Sequence, residues 1–256
     1  MEKKPIGKTK YIFTAISILI SLLVWQFISS SVAGAVIASP KQVFLSFVNE
    51  ISNGRLLHHI GISLFRVLTG FSIAFIVSIP IAFLMGWYQP IQLLIEPVIQ
   101  FVRNIPALAY IPLVVVAQGV GESAKITVIF ISTFLVMIIT VYQGVREVDT
   151  TLIKAARVLG AKDKDIFIKV VIPASVPYIL VGARLGLGAS LTTLIAAELT
   201  GSNAGLGQMI QEASLYFRMD IVMLGIILIG ITGLLLNLIV SIIENKLTVW
   251  QEKKKK

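Results

Sequence analysis

The sequence predicts an all-helical integral membrane protein with six transmembrane helices. Of its 256 residues, 56% are hydrophobic and only 14% are charged, whereas soluble domains carry about 25% charged residues. Several stretches contain no charged residue and approach or exceed the ~20 residues that a helix needs to cross hydrocarbon. They cover residues 11–40, 67–95, 104–121, 126–145 and 221–243. A sixth crossing combines residues 170–183 and 185–197, which only Arg184 separates.

We therefore expect a single transmembrane domain over residues 1–256. The predicted spans cover about 11–29, 63–86, 103–120, 125–145, 175–198 and 221–243. The first span follows several lysines and precedes Ala33-Gly34-Ala35, an arrangement that is also typical of a cleaved signal peptide. Its apolar stretch is longer than the usual length of about 7 to 15 residues, which favours a retained helix.

Residues 39–60 are predicted to form an amphipathic segment outside the membrane. Ser39 is typical of a helix N-cap and Pro40 of a first helical residue. Apolar side chains then recur at helical spacing, which is typical of a helix lying at the membrane interface. His58 and His59 are adjacent, so they point about 100° apart on a helix and are not expected to hold one metal ion together.

Prolines and glycines mark special positions within the spans. Pro80 in the second span and Pro106 in the third predict kinks, because proline lacks the backbone donor. Such broken helices commonly line cavities, although a packing kink is an equally good interpretation. Gly182 and Gly186 in the fifth span predict close helix packing or a dimer contact, although glycine is common in membrane helices.

The distribution of basic residues predicts the orientation. Six spans place both termini on one side, and most of the 22 basic residues lie in the termini and in residues 146–173. The positive-inside rule then makes that side cytoplasmic. The net charge of +9 is accounted for by orientation and by attraction to anionic lipid, so no nucleic-acid partner is expected.

The sequence lacks the usual motifs of enzyme chemistry. It has no cysteine, and Gly7-Lys8-Thr9 is preceded by Glu2 where a phosphate-binding loop requires glycine. We expect no catalysis, no metal site and no cofactor bound by this chain.

Residues 146–173 form the one long polar stretch, and it contains a spacing suited to two short helices. Ala155 and Ala156 allow close helix approach, Gly160 permits a sharp turn, and Pro173 marks the return to the membrane. A helical hairpin of this kind is a surface that a soluble partner can bind.

This spacing resembles the cytoplasmic signature of bacterial ABC-importer permeases, in which glutamate is usual at the position of Lys154. Over residues 36–245 the chain resembles the nitrate/sulfonate/taurine-type permeases in particular. The further matching motifs are Ser63 to Phe71, Arg103 to Pro106, Ile111-Pro112, Gly119 to Lys125, Tyr142 to Val145, Ala197-Glu198 and Gly205 to Gly207.

The resemblance implies a type I importer permease in the bacterial cytoplasmic membrane. Two copies of such a permease form a pore, two ATPase subunits use ATP and Mg²⁺ and bind its cytoplasmic hairpin, and an extracytoplasmic binding protein delivers the solute. The expected solute is a small anion or organic anion such as a sulfonate, taurine, nitrate or bicarbonate. The alternatives are a stand-alone ion-coupled carrier or channel, or an ABC permease for a vitamin precursor or another aromatic solute.

Two sets of candidate residues follow. Those expected to bind the ATPase are Lys154, Ala155, Ala156, Arg157, Leu159, Gly160, Ala161 and Pro173. Those considered for a translocation pathway are Arg103, Asn104, Pro106, Arg184 and Glu198. A membrane anchor explains Arg103 equally well, an ion pair within the protein is the favoured role of Arg184, and Glu198 suits receptor contact, gating or a helix end.

Overall fold

The computed structural model describes residues 6–31 and 36–248, and within them every regular element is helical. The helices are α1 (Ile6–Ser30), α2 (Pro40–Ser52), α3 (Arg55–Trp87), α4 (Gln89–Arg103), α5 (Tyr110–Gln118), α6 (Glu122–Arg146), α7 (Thr150–Val158), α8 (Asp163–Ile166), α9 (Ile172–Leu199), α10 (Leu206–Leu215) and α11 (Met219–Leu247). The all-helical prediction is confirmed. The motif Ala33-Gly34-Ala35 and the C-terminal lysines lie outside the described residues.

Five helical segments among the described residues are long and apolar enough to cross a membrane. They are Tyr11–Ser30, Arg55–Trp87, Glu122–Arg146, Asp163–Leu199 and Met219–Leu247. A sixth crossing is present if α4 and the helical residues 107–118 count as one span.

The third predicted span, 103–120, is thus not one continuous helix. The segments Gln89–Arg103 and Ala107–Gln118 meet at an angle of 83°. Pro106 has no N–H to continue the hydrogen-bond ladder, and the Tyr110 hydroxyl instead donates to the Val102 carbonyl across the break (3.0 Å). Pro80, by contrast, lies inside the unbroken helix α3.

Helices α3, α6 and α9 form the centre of the bundle, and glycines bring them close together. A Cβ added at Gly186 would lie 2.8 Å from the Met137 Cγ of α6, and one at Gly182 would lie 3.3 Å from the Val141 Cγ2. The small residues predicted to pack a helix therefore do so within the chain, against α6.

Helix α1 stands apart from this bundle. Its described side chains are mostly exposed, and the Trp25 indole N–H donates to the Ala38 carbonyl (2.9 Å). Helix α2 follows as predicted: Ser39 is its N-cap, Pro40 is its first residue, and Gln42 completes a capping box.

Two structures lie at opposite ends of the bundle. One, which we call the cap, consists of α2, α10 and the first turns of α3 and α11. The other, the hairpin, comprises residues 147–171 between α6 and α9. Helix α6 separates them and, with 25 residues, is about 37 Å long, enough to pass through the hydrocarbon core of a bilayer.

Candidate functional site

A buried arginine joins three helices beneath the cap. Arg66 of α3 is 1% exposed. Its Nε and Nη2 donate to the two carboxylate oxygens of Glu122 at the start of α6 (2.6 and 2.5 Å), and its Nη1 donates to Glu198 near the end of α9 (2.7 Å). The same Nη1 donates to the Ala204 carbonyl (2.7 Å). One guanidinium thus fixes α3, α6, α9 and the loop after α9 together.

The second carboxylate of this network, Glu198, is completely enclosed. Its Oε1 also accepts from the Ser63 hydroxyl (2.8 Å), and its Oε2 accepts from the Gly207 N–H (2.7 Å). Gly205 has φ +123°, and a Cβ there would lie 2.3 Å from Glu198 Oε1. Only glycine allows the loop to pass this close to the carboxylate.

The surrounding polar groups complete the network. The Ser63 hydroxyl accepts from the Leu206 N–H (2.8 Å), and His59 Nδ1 accepts from the Gly205 N–H (3.0 Å). The Lys125 ammonium lies 3.8 Å from the Glu122 carboxylate, three residues earlier on α6. The positive charges of Arg66 and Lys125 balance the negative charges of Glu122 and Glu198. Both oxygens of the Glu198 carboxylate accept hydrogen bonds within the chain, so neither is free to bind a solute.

Sequence reasoning did not bring these residues together. Arg66, Glu122 and Glu198 belong to three separate motifs, each near the edge of a different span, and they are far apart in the sequence. The available signal was the opposite charge of Arg66, Glu122 and Glu198, because charged groups near the bilayer are expected to pair.

At the opposite end, the hairpin exposes an apolar edge. Helix α7 begins at the N-cap Asp149, whose carboxylate accepts from the Thr151 N–H (2.7 Å), and this bond holds the pKa of Asp149 below its usual range. The helix ends in Val158 and Leu159, which are 87% and 86% exposed. Gly160 then turns with φ +82°.

The inner side of the hairpin packs on the bundle. Ala156 is half-buried and packs against a core that includes the fully buried Ile166, whereas Ala155 is exposed. The Phe167 ring lies 5.5 Å from the Trp87 ring and 6.0 Å from the Phe83 ring of α3, measured between centroids. The hairpin is therefore packed against the end of α3.

The hairpin joins α9 through an irregular helical turn. Residues Phe167–Val171 are π-helical, and α9 begins at Ile172. Pro173 cannot donate to the carbonyl four residues earlier, which interrupts the α-helical pattern here. Lys154 is exposed, and Arg157 forms an exposed ion pair with Asp163 (3.3 Å).

The candidate pathway residues separate into three places. Arg103 and Pro106 line a groove of about 350 Å³ at the break between α4 and α5, and this groove also contains Ser132 and Thr140 of α6. Asn104 is exposed beside it and donates to the Gln100 carbonyl (2.6 Å). Arg103 is exposed, and none of the ion pairs among the described residues includes it.

The other two candidates are engaged elsewhere. Arg184 pairs with Glu244 of α11, in keeping with the favoured interpretation of an ion pair. Glu198 belongs to the buried network beneath the cap. Of the two candidate pathway cations, Arg103 is therefore the one without an ion-pair partner among the described residues. Within the described residues, no three His, Asp or Glu side chains are arranged to hold a metal ion.

Comparison with known proteins identifies similar chains. Residues 74–249 match the family model described as "Binding-protein-dependent transport system inner membrane component". A probable ABC transporter permease of Brucella abortus is 46% identical, with 90% of this chain and 91% of that protein covered. A putative aliphatic sulfonates transport permease of Bacillus subtilis is 34% identical, with 98% and 92% covered. A taurine transport system permease of Escherichia coli is 36% identical, with 76% and 71% covered.

A solved structure shares the fold. The MetNI methionine ABC transporter in an inward-facing conformation superimposes with a TM-score of 0.65 at 19% identity, covering 75% of this chain and 95% of that chain.

Proposed function

Since this chain belongs to the family of inner membrane components of binding-protein-dependent transport systems and is a non-catalytic permease subunit of an ABC importer, we propose that its hairpin is the surface to which the ATPase subunits bind. The two exposed apolar side chains Val158 and Leu159 carry this proposal. They stand beside Gly160, at the far end of the bundle from the cap. An apolar contact surrounded by charged side chains is the usual centre of a protein interface.

The orientation follows from the same assignment. The hairpin and both termini lie in the cytoplasm, in agreement with the basic residues at positions 154, 157, 162, 164 and 169. The cap then lies outside. The translocation unit is proposed to be a pair of identical permeases with two ATPase subunits, which use ATP and Mg²⁺.

Coupling between the two proteins requires that α7 move the membrane helices. Ala156 and Phe167 connect α7 to α3 and α6 through close packing. Closure of an ATPase dimer on Leu159 therefore displaces the inner ends of those helices while the buried network holds their outer ends together. This is a two-state change of helix packing, with no bond chemistry in the permease.

The proposed solute is a small anion, either inorganic or a sulfonate. The relatives that share most of the chain include permeases named for aliphatic sulfonates and for taurine. Arg103 supplies an uncompensated cation in the groove at the helix break, and Ser132 supplies a hydroxyl group that only accepts, from Thr193, and so keeps its own proton. Arginine with hydroxyl donors suits the oxygens of a sulfonate or nitrate.

Co-purification from the native host tests the binding of the ATPase. The wild-type permease is expected to bring down an ATPase subunit, and Leu159→Ser is expected to lose it. Phe217→Asn, which alters an equally exposed apolar side chain in the cap, serves as the matched control and retains the ATPase. Equal recovery with Leu159→Ser would contradict the hairpin assignment, and no ATPase with the wild type would favour a stand-alone carrier.

Uptake measurements test the solute class. Arg103→Gln is expected to lower uptake of radiolabelled taurine or nitrate about tenfold, equivalent to ~1.4 kcal/mol, while Arg103→Lys retains most of it. Both variants should still bind the ATPase. Unchanged uptake with Arg103→Gln would remove Arg103 from the pathway.

A further inference from the structure

The turn that connects the two cap helices α10 and α11 is apolar and exposed. Leu215, Tyr216 and Phe217 follow one another between α10 and α11 and are 70%, 74% and 84% exposed. We call these three residues the apical turn. Large apolar side chains that are exposed together in this way indicate an interaction surface.

The apical turn adjoins charged side chains, with Arg218 and Asp220 directly after it, which distinguishes its surroundings from a surface that faces only hydrocarbon. Leu206 at the start of α10 shares a small enclosed space with Ser63 and Ile229, at the level of the buried network. Helix α10 then runs outward for 10 residues, about 15 Å, and the chain turns at Phe217 and returns as α11. The exposed side of α10 is polar and carries Glu212.

The shape of the apical turn is fixed before any partner arrives. Phe217 has φ +55°, a left-handed conformation that is costly for an aromatic residue. The Arg218 N–H donates to the Ala213 carbonyl (2.8 Å), and the Arg218 guanidinium pairs with Asp220 (3.0 Å). Asp220 in turn accepts from the Ser46 hydroxyl of α2 (2.5 Å). Four residues from three elements thus maintain the strained aromatic side chain in its exposed position.

A polar groove adjoins the apical turn. It has a volume of about 600 Å³, and Tyr216 lines it together with charged and imidazole side chains from α2, α3 and α10. These are Glu50, Arg55, His58, His59 and Glu212, with Arg218 at the turn itself. An aromatic centre beside a polar rim with both signs of charge is the usual arrangement of a protein-binding surface.

We propose that the apical turn and this groove bind the extracytoplasmic solute-binding protein, with Tyr216 and Phe217 as the central contacts. The proposal rests on the proposed function, because the dependence of this family on a binding protein supplies the partner and the orientation places the cap outside. The pre-formed turn lowers the entropic cost of binding, and the charged rim pairs with opposite charges on the partner. The buried network directly beneath connects this surface to α3, α6 and α9.

A binding measurement tests the contact. The permease is reconstituted with its ATPase in nanodiscs, and the binding protein of the same operon is titrated onto it. Phe217→Asn keeps a residue that tolerates the left-handed conformation, and it is expected to raise the Kd about tenfold or more. Tyr216→Ser is expected to act in the same direction. An unaltered Kd with Phe217→Asn and Tyr216→Ser would overturn the proposal.

Crosslinking identifies the occupant. The chain has no cysteine, so Phe217→Cys can carry a benzophenone on a unique thiol in native membranes. An adduct with the binding protein supports the proposal, whereas an adduct only with phospholipid, an adduct only with a second permease, or no adduct would overturn it. Retention of the ATPase by the Phe217 variants separates this failure from failure of the proposed function, in which the wild type itself recovers no ATPase.

Discussion

The two ends of the bundle use charged and apolar residues in opposite ways. Beneath the cap, Arg66 and Glu198 are 1% exposed and satisfied by neighbours within the chain. At the hairpin, the ion pair of Arg157 with Asp163 is exposed, and the apolar Leu159 is uncovered. The buried end therefore holds the helices together, while the exposed end offers a surface to another protein. Substitutions beneath the cap should therefore affect the stability of the protein, and substitutions at the hairpin should affect the binding of a partner.

The largest expected loss of stability comes from Arg66→Leu, because it leaves the buried Glu198 without its cation. Breaking a buried pair costs about 3–5 kcal/mol, which lowers the Tm of the purified permease by roughly 10 °C. Arg157→Leu, which removes the exposed pair at the hairpin, should change the Tm by only a few degrees. Equal shifts for the two variants would contradict the contrast between the ends.

Two glycines with positive φ provide a sharper comparison. Gly205→Ala places a Cβ against the Glu198 carboxylate and is expected to cost about 2 to 3 kcal/mol. A Cβ at Gly160 would contact no other atom, so Gly160→Ala is expected to cost only the ~1 kcal/mol of placing alanine in the left-handed conformation. Denaturation of both variants in the same detergent measures the difference. A larger loss for Gly160→Ala would show that the hairpin turn is as tightly packed as the cap.

Neighbouring alanines divide the two roles within α7. Ala156→Leu adds volume where the helix packs on the bundle and should destabilise the protein by about 1–3 kcal/mol. Ala155→Leu changes an exposed position and should leave the Tm unchanged while weakening ATPase recovery. Thermal denaturation combined with co-purification distinguishes these outcomes. A matching loss of Tm in Ala155→Leu would show that both alanines face the bundle.

The smallest expected effect concerns the cap of α7. Hydrogen bonding lowers the pKa of Asp149 from its ordinary 3.8, so its ionised carboxylate contributes stability above that pH and loses it as the pH falls through the lower, folded-state pKa. Amide exchange of Thr150–Val158, corrected for intrinsic rates, should show constant protection from pH 7 to 5. Asp149→Ala should lose protection at pH 7, whereas Asp149→Asn should keep it. Loss of wild-type protection between pH 7 and 5 would contradict the lowered pKa.

The sequence predicted the fold more completely than the site. Hydropathy and charge predicted an all-helical chain with long apolar helices, and Ser39-Pro40 predicted the start of α2, because both depend on short-range patterns. The break at Pro106 was anticipated as a kink, but the 83° angle between the two segments was not, because a proline alone does not set the direction of the chain after the break. The joining of Arg66 with Glu122 and Glu198 depends on contacts across 56 and 132 positions, which no local pattern encodes.

In the hairpin, too, the sequence predicted which residues matter but not which of them are buried. Its alanines and glycine were found from spacing, but the division between the exposed Ala155 and the half-buried Ala156 appears only once the hairpin is docked on α3 and α6. The exposure of Phe217 likewise depends on the turn imposed by Arg218 and Asp220.

The central claim is that the exposed end of the bundle is where an ATPase binds, and a single thiol tests it most directly. Leu159→Cys creates the one cysteine of the chain, and a short bifunctional crosslinker is applied in native membranes, with Phe217→Cys as the control at the other end. We predict an adduct between position 159 and an ATPase subunit and none from position 217. The absence of an ATPase adduct at 159, or its appearance at 217, would contradict this account.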